Sequence, residues 1–313
     1  MGKMRDQWIG LVRRRTDRLF TLPDQSDTGK RGIHWRDNIP FVLFHVAPLG
    51  VIWVGWNPFA VLFAVVYYLV RMFSITAFYH RYFSHHAFTT NRFFQFLFAF
   101  WGCSAMQNGP LWWAAIHRHH HIYADTDKDL HSPKIQGFLW SHIGWILAAE
   151  NKRIRVEYVK DWLKYPELIF LENVSYAIPI VEAAGILLIG HLCSLYWPDL
   201  RTSGPQLLVW GFFISTVACS HATFSINSID HMYGSRRYEM PNTSRNNVWT
   251  AILTLGEGWH NNHHHFPITA KAGFYWWELD ITYYILVLFS WLGIVWNLTP
   301  LPDKIRDSNQ VVK

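Results

Sequence analysis

His80-Arg-Tyr-Phe-Ser-His85, His117-Arg-His-His120-His121 and His260-Asn-Asn-His263-His264 decide how this chain is read. The second and third share the spacing H-x2-H-H, and residues at i, i+3 and i+4 of a helix share one face. Each therefore presents three imidazoles to one side, where they can converge on a metal ion. The first cluster, H-x4-H, separates its pair by five residues. That spreads the two around a helix and suits histidines leaning toward different ions. Eight imidazoles are too many for one ion, and two ions accommodate them. A lone histidine in an apolar protein is ordinarily a core residue, but three dense clusters, two with the same helical spacing, call for another explanation.

Around these clusters the chain is apolar. Of its 313 residues, 50% are hydrophobic and 17% aromatic, with 18 Trp, and only 16% are charged, against about 25% in a typical soluble domain. Trp and Tyr in such numbers favour the membrane–water interface. Mean hydropathy is only +0.03, so a membrane part shares the chain with a large polar part. Cys103, Cys193 and Cys219 lie in apolar stretches without metal or disulfide spacing, and nothing points to an oxidising compartment. The net charge of +6 is concentrated: residues 1–36 carry nine basic side chains centred on Arg13-Arg14-Arg15. That run has no apolar core, so it is not a secretory signal, and position 6 lacks the Ser or Thr of a myristoylation site. No nucleic-acid-binding pattern accompanies it. A cytoplasmic arm at the membrane surface is the better reading.

Hydropathy gives four spans, at about 39–56, 59–79, 174–197 and 206–226, each near the ~20 residues a bilayer crossing needs. Asp199 and Arg201 are the charges in the connection between the third and fourth, whereas residues 152–164 hold five basic residues. The positive-inside rule then places the N-terminus, residues 80–173 and residues 227–313 in the cytoplasm. All three clusters emerge on that one face. The expected fold class is an all-α integral membrane protein, with four transmembrane helices and a helical cytoplasmic cap holding a His-rich di-metal site. Its divisions are a basic arm (1–38), one domain (39–300, cap 80–173 and 227–300) and a disordered tail (301–313). Phe93 to Met106 is too short to cross unaided and reads as re-entrant or buried. Ile281 to Trp296 reads as a helix lying on the cap rather than a span.

Neutral imidazole suits Fe, Cu, Zn and Ni. Structural zinc is four-coordinate and usually takes Cys, which these clusters lack. Iron is the choice, although spacing alone admits zinc.

The motifs extend beyond the clusters, through Gly109-Pro-Leu-Trp-Trp113, Asp125-Thr-Asp-Lys-Asp-Leu-His131-Ser-Pro133, Asn227-Ser-Ile-Asp-His231 and Gly256-Glu-Gly-Trp-His260…His264-His-Phe-Pro267. With these the chain, from about Phe41 to Trp296, resembles the integral-membrane fatty acid desaturases that insert a cis double bond at carbon 9 of a saturated acyl chain. The resemblance implies a non-haem di-iron site using O2. It adds a ninth histidine, His231, to His80, His85, His117, His120, His121, His260, His263 and His264, and an Asn227 that holds one iron through water. It puts Gln107, Trp113, Trp145 and Thr223 on an acyl tunnel near its bend. Tyr68 and Met72, one helical turn apart, would close the far end.

His86, His119 and His265 are expected to lie behind or beside the ligands. His34, His45, His131, His142, His191 and His221 are expected to be structural. Asp125, Asp127, Asp129, Asp230 and Glu257 are candidate acceptors for the ligands' other ring nitrogens. The chain carries no haem, flavin or iron–sulfur motif. An external electron donor of ferredoxin, rubredoxin or cytochrome b5 type is therefore expected, and the basic residues at 152–164 could dock it.

One departure concerns the head group. Where acyl-CoA members of the family seat coenzyme A, this chain has Ala115-Ile116 and Ala149-Glu150, with Lys152 and Arg153 nearby. A CoA thioester, a membrane lipid and a carrier-protein thioester all stay open. The competing functions are a membrane di-iron hydroxylase and a His-rich metal transporter. A transporter would place its histidines within the spans, along a path.

Overall fold

The computed structural model describes residues 32–33 and 35–311; most of the expected basic arm, with His34, lies outside the described residues. Among the described residues three helices are long and apolar enough to cross a membrane: α2 (Pro58–Ser84), α6 (Ala177–Tyr196) and α7 (Gly204–His231). They correspond to the second, third and fourth expected spans.

The first expected span is a broken helix. α1 (Trp35–Val46) gives way to a tight turn of 3-10 type at Ala47–Gly50 and a last turn at Val51–Val54, and its apolar part, Asn38–Val54, falls short of the other three. Pro40 and Pro48 lie within this stretch, and each removes a backbone donor. Ile39, Leu43, Val46, Ile52 and Trp53 stay exposed along it.

α2 starts with Asn57 capping the Ala60 amide and Pro58 at its first position, where proline's missing N–H costs nothing. Its last eleven residues, Ser74–Ser84, wind as a π-helix, and all eleven are buried. α3 (Arg92–Cys103) is a 12-residue helix, too short to cross. It lies against that wide-turned end of α2, with Phe98 stacked on Phe78 at 3.9 Å. α4 (Pro110–Tyr123) and α5 (Pro166–Val174) follow, then the α6–α7 hairpin.

Three shorter helices follow: α8 (Val248–Leu253), α9 (His260–His265) and α10 (Ile281–Trp291). α10 has 11 residues, roughly 16 Å of helix, and packs on α2 through Thr282 and Phe289. A two-residue antiparallel pairing, β1 (Thr89–Thr90) with β2 (Val295–Trp296), ties the segment after the first cluster to the one after α10.

The stretch after Pro302 differs from the disorder expected of it, as far as Val311. α11 (Asp303–Arg306) forms, the Tyr238 hydroxyl donates to the Arg306 carbonyl, and Glu239 and Val311 make backbone bonds with Asn309 and Arg237. The polar composition of the stretch hid its pairing with residues 237–239.

Candidate metal centre

The nine histidines fall into two groups. His80, His85, His117, His121 and His263 offer nitrogens within 4.8 Å of one another; His120, His231, His260 and His264 do the same. The groups touch where His121 stacks on His264 at 4.4 Å.

Neither helical cluster keeps its three imidazoles together. His117 and His121 go to the first group and His120 to the second, while His260 and His264 go to the second and His263 to the first. Helix geometry explains it: at ~100° per residue, i and i+4 stand about 40° apart, while i+3 stands about 60° away on the other side. The expectation of one metal per cluster is therefore corrected.

So is the expectation that His80 and His85 lean apart. Both belong to the first group, with ring centroids 4.9 Å apart. The π-winding of Ser74–Ser84, whose bonds run i to i+5, brings residues five apart onto one face.

The third cluster is set by its own loop. Gly256 has φ of 125°, and a Cβ at Gly258 would lie 2.1 Å from the Ala251 amide nitrogen, so neither position takes a larger residue. Asn261 accepts from the Arg237 and Tyr238 amides, and Asn262 donates to Glu278. The two asparagines between the histidines thus tie α9 to the segments around Tyr238 and Glu278.

Carboxylates stand behind three of the imidazoles. Glu257 Oε2 lies 2.7 Å from His80 Nδ1, Asp129 Oδ1 3.1 Å from His120 Nδ1 and Asp125 Oδ2 3.2 Å from His231 Nδ1. Burial alone would raise the Glu257 carboxyl, but Arg81 and His80 hold it down at about 2. Asp125 and Asp129 are likewise held below the usual carboxylate range against burial, by His231 and His120. Of the other expected acceptors, Asp230 bonds Thr250 instead and Asp127 is exposed.

With carboxylates close to these Nδ1 atoms, the Nε2 atoms of two of the rings face other imidazoles: His80 to His263 at 3.0 Å and His231 to His260 at 3.1 Å. His120 Nε2 is buried with no partner. A cation, not a proton, satisfies such a set. Burial, then mutual repulsion, keeps His85, His117, His121, His260, His263 and His264 neutral, well below the usual imidazole pKa, as metal binding requires. The residues present fit a pair of ions.

Three further histidines sit beside the ligands. His86 meets Asp161, His119 packs on Tyr123 and Tyr158, and His265 stacks on Tyr238. His131, expected to be structural, stacks on His120 at 4.3 Å and joins it and Asp129 in a third group. It lay outside the H-x2-H-H pattern, and only its place in the Asp-rich loop could have singled it out.

An apolar cavity of about 520 Å³ opens beside the first group, lined among others by Gln107, Trp113, His117, Trp145, Thr223 and Asn227. Trp113, His117, Thr223 and Asn227 also line a smaller space of about 50 Å³ that reaches Met72. The Gln107 amide donates to Thr223 Oγ1 and accepts from Trp113 Nε1, and Trp113 stacks on His117 at 5.1 Å. Tyr68 lines neither space. Its hydroxyl donates to the Leu253 carbonyl, one turn away from the Met72 side chain. Asn227 sits four residues before His231.

The family model for fatty acid desaturases matches residues 32–299. The chain belongs to the fatty acid desaturase family. Among its relatives is an sn-1 stearoyl-lipid 9-desaturase of Anabaena variabilis, 34% identical over 88% of this chain and 97% of that one. An acyl-CoA C20 Delta5-desaturase of Anemone leveillei is 35% identical over 80% and 77%. A probable acyl-CoA desaturase of Schizosaccharomyces pombe is 35% identical over 84% of this desaturase and 54% of its own length. The desaturase is thus a membrane oxidoreductase of lipid metabolism with His-rich metal sites.

Proposed function

We propose that this desaturase uses O2 and two non-haem irons to introduce a cis double bond at carbon 9 of a saturated fatty acyl thioester, with acyl-CoA the first candidate carrier. His80, His85, His117, His121 and His263 would hold one iron. His120, His231, His260 and His264 would hold the other, with Asn227 beside it. The observation that carries the reading is the shared wall: His117 and the Trp113 stacked on it line an apolar cavity of the size that takes a small-molecule ligand.

Bound iron supplies the one-electron chemistry that activates O2 toward an unactivated carbon chain. The protein's own part is positioning. Gln107, Thr223 and Trp113 are bonded together at the junction of the two spaces and hold the acyl chain bent there. Glu257, Asp129 and Asp125 keep the protons of His80, His120 and His231 on Nδ1, leaving Nε2 to bind. The electrons come from a ferredoxin-, rubredoxin- or cytochrome b5-type donor. Four spans, with the N-terminus, clusters and C-terminus cytoplasmic, fit the charge pattern.

A membrane lipid as carrier is the second reading, favoured by the exposed Glu150 and by the Anabaena relative. Expression in a host deficient in unsaturated fatty acids tests the proposal. Gas chromatography of its lipids is expected to reveal a new cis-9 alkene; an alcohol instead would point to a hydroxylase, and no new product would sink the reading.

A further inference from the structure

The proposed reaction takes two electrons from outside the chain, and one surface is built to admit them. His85 belongs to the five-imidazole group, and its chain neighbour His86 turns outward. His86 has φ of 52° and a side chain 51% exposed. Histidine is among the non-glycine residues that take this left-handed backbone most readily, and the turn aims the ring away from the imidazole group. Its Nε2 lies 2.8 Å from Asp161 Oδ2, and its ring stacks on Trp162 with centroids 4.7 Å apart and planes 22° from parallel. Trp162 in turn packs on Tyr165 at 5.9 Å, and Arg92 and Lys164 both lie over the Tyr165 ring.

Arg118, which follows His117 in sequence, meets this surface from α4. It donates to Asp161 and to the Phe83, Ser84 and Tyr158 carbonyls. Two of the three elements that carry the first group, α2 and α4, therefore meet at this surface.

The two acids that touch this aromatic ladder are already spent. Asp161 faces Arg118 and His86, and Glu167 faces Arg92 through two bonds. Lys160 and Lys164 are exposed and take part in no ion pair among the described residues. What remains is an aromatic ladder rimmed by positive charge, ending one peptide bond from a metal-binding imidazole.

We propose that His86, Trp162 and Tyr165, with Lys160, Lys164 and Arg92 around them, form the docking surface for a small acidic one-electron carrier protein, whose electrons pass through His86 and His85 to the five-imidazole site. The proposal rests on the desaturase reading above. For that reaction, –CH2–CH2– + O2 + 2e⁻ + 2H⁺ gives –CH=CH– + 2H2O, so two carriers are each oxidised by one electron per double bond. Transient electron-transfer encounters bury little area and depend on charge for their on-rate, which suits a patch of this kind.

The test is the double charge reversal Lys160→Glu with Lys164→Glu in the full-length protein, two exposed side chains outside the imidazole groups. Turnover of stearoyl-CoA is measured with reduced [2Fe–2S] ferredoxin as the probe and, separately, with dithionite. The ferredoxin KM is expected to rise about tenfold and its salt dependence to flatten, while dithionite-driven turnover is unchanged. An unchanged ferredoxin KM and salt dependence overturns the proposal. So does an unchanged KM with weakened binding to anionic vesicles, which would give the patch to lipid headgroups. If the double variant does not fold, Lys164→Gln and a salt titration of the wild type carry the same test: only the ferredoxin-driven rate should fall with salt. Absence of product with either reductant, from stearoyl-CoA and from stearoyl-bearing lipid alike, removes the desaturase reading and this proposal together.

Discussion

Arg71 Nη2 lies 2.9 Å from Glu182 Oε2, an ion pair that joins α2 to α6 with the arginine side chain fully buried. The same guanidinium donates to Ser215 Oγ and contacts Thr216 Oγ1 on α7, and Tyr67 lies beneath it and bonds Glu182. One side chain thus ties together the three long apolar helices. Within a bilayer such charges persist when paired with one another. Glu182→Ala should cost about 3–5 kcal/mol by leaving Arg71 uncompensated, whereas Arg71→Met combined with Glu182→Leu should cost much less. Thermal unfolding in detergent compares them; equal losses would refute the pairing argument.

The carboxylates behind the imidazoles should matter nearly as much as the imidazoles. Asp129→Asn and Glu257→Gln are each expected to weaken iron binding by about 10- to 100-fold. Asp127→Asn, which alters an exposed side chain, should leave it intact. Iron titration of the purified variants decides, and three indistinguishable affinities would contradict the assignment.

Acid should empty the site. Burial holds six of the imidazoles well below the ordinary value of 6.5. As pH falls below 6.5 the unfolded chain takes up protons that the folded one refuses. The stability these groups lend is therefore complete above that pH and is lost progressively below it. Iron content and melting temperature should fall together from about pH 6.5 downward. A flat profile to pH 5 would argue against neutral, buried ligands.

Met72 is 1% exposed and lines the smaller space. Met72→Ala should lengthen that space and shift products from C16 toward C18 chains, at a cost of about 2–5 kcal/mol in stability. Product profiling with both substrates measures the ratio, and an unaltered ratio places the end of the acyl chain elsewhere.

Much of this was legible in the residues. The apolar runs at 59–79, 174–197 and 206–226 became long helices because periodicity and length depend little on context. Each H-x2-H-H cluster was read as three imidazoles on one side; i and i+4 do neighbour each other on any helix, and it is the i+3 member that goes to the other group. Less was legible where geometry departs from the regular α form. The π-winding of Ser74–Ser84 has no simple sequence signal, so the fate of His85 could not be deduced from a 3.6-residue turn. The break in the first span follows from Pro40, Pro48 and Gly50, which hydropathy does not weigh. His131 and the pairing of Gln310 with Tyr238 depend on contacts between distant segments, which no local pattern carries.

Because α4 and α9 each send imidazoles to both groups, neither helix can settle against one ion without fixing half of the cradle for its neighbour. Filling the first position preorganises the second, so the pair should load as a unit, and singly occupied protein should be scarce at every stage of iron supply.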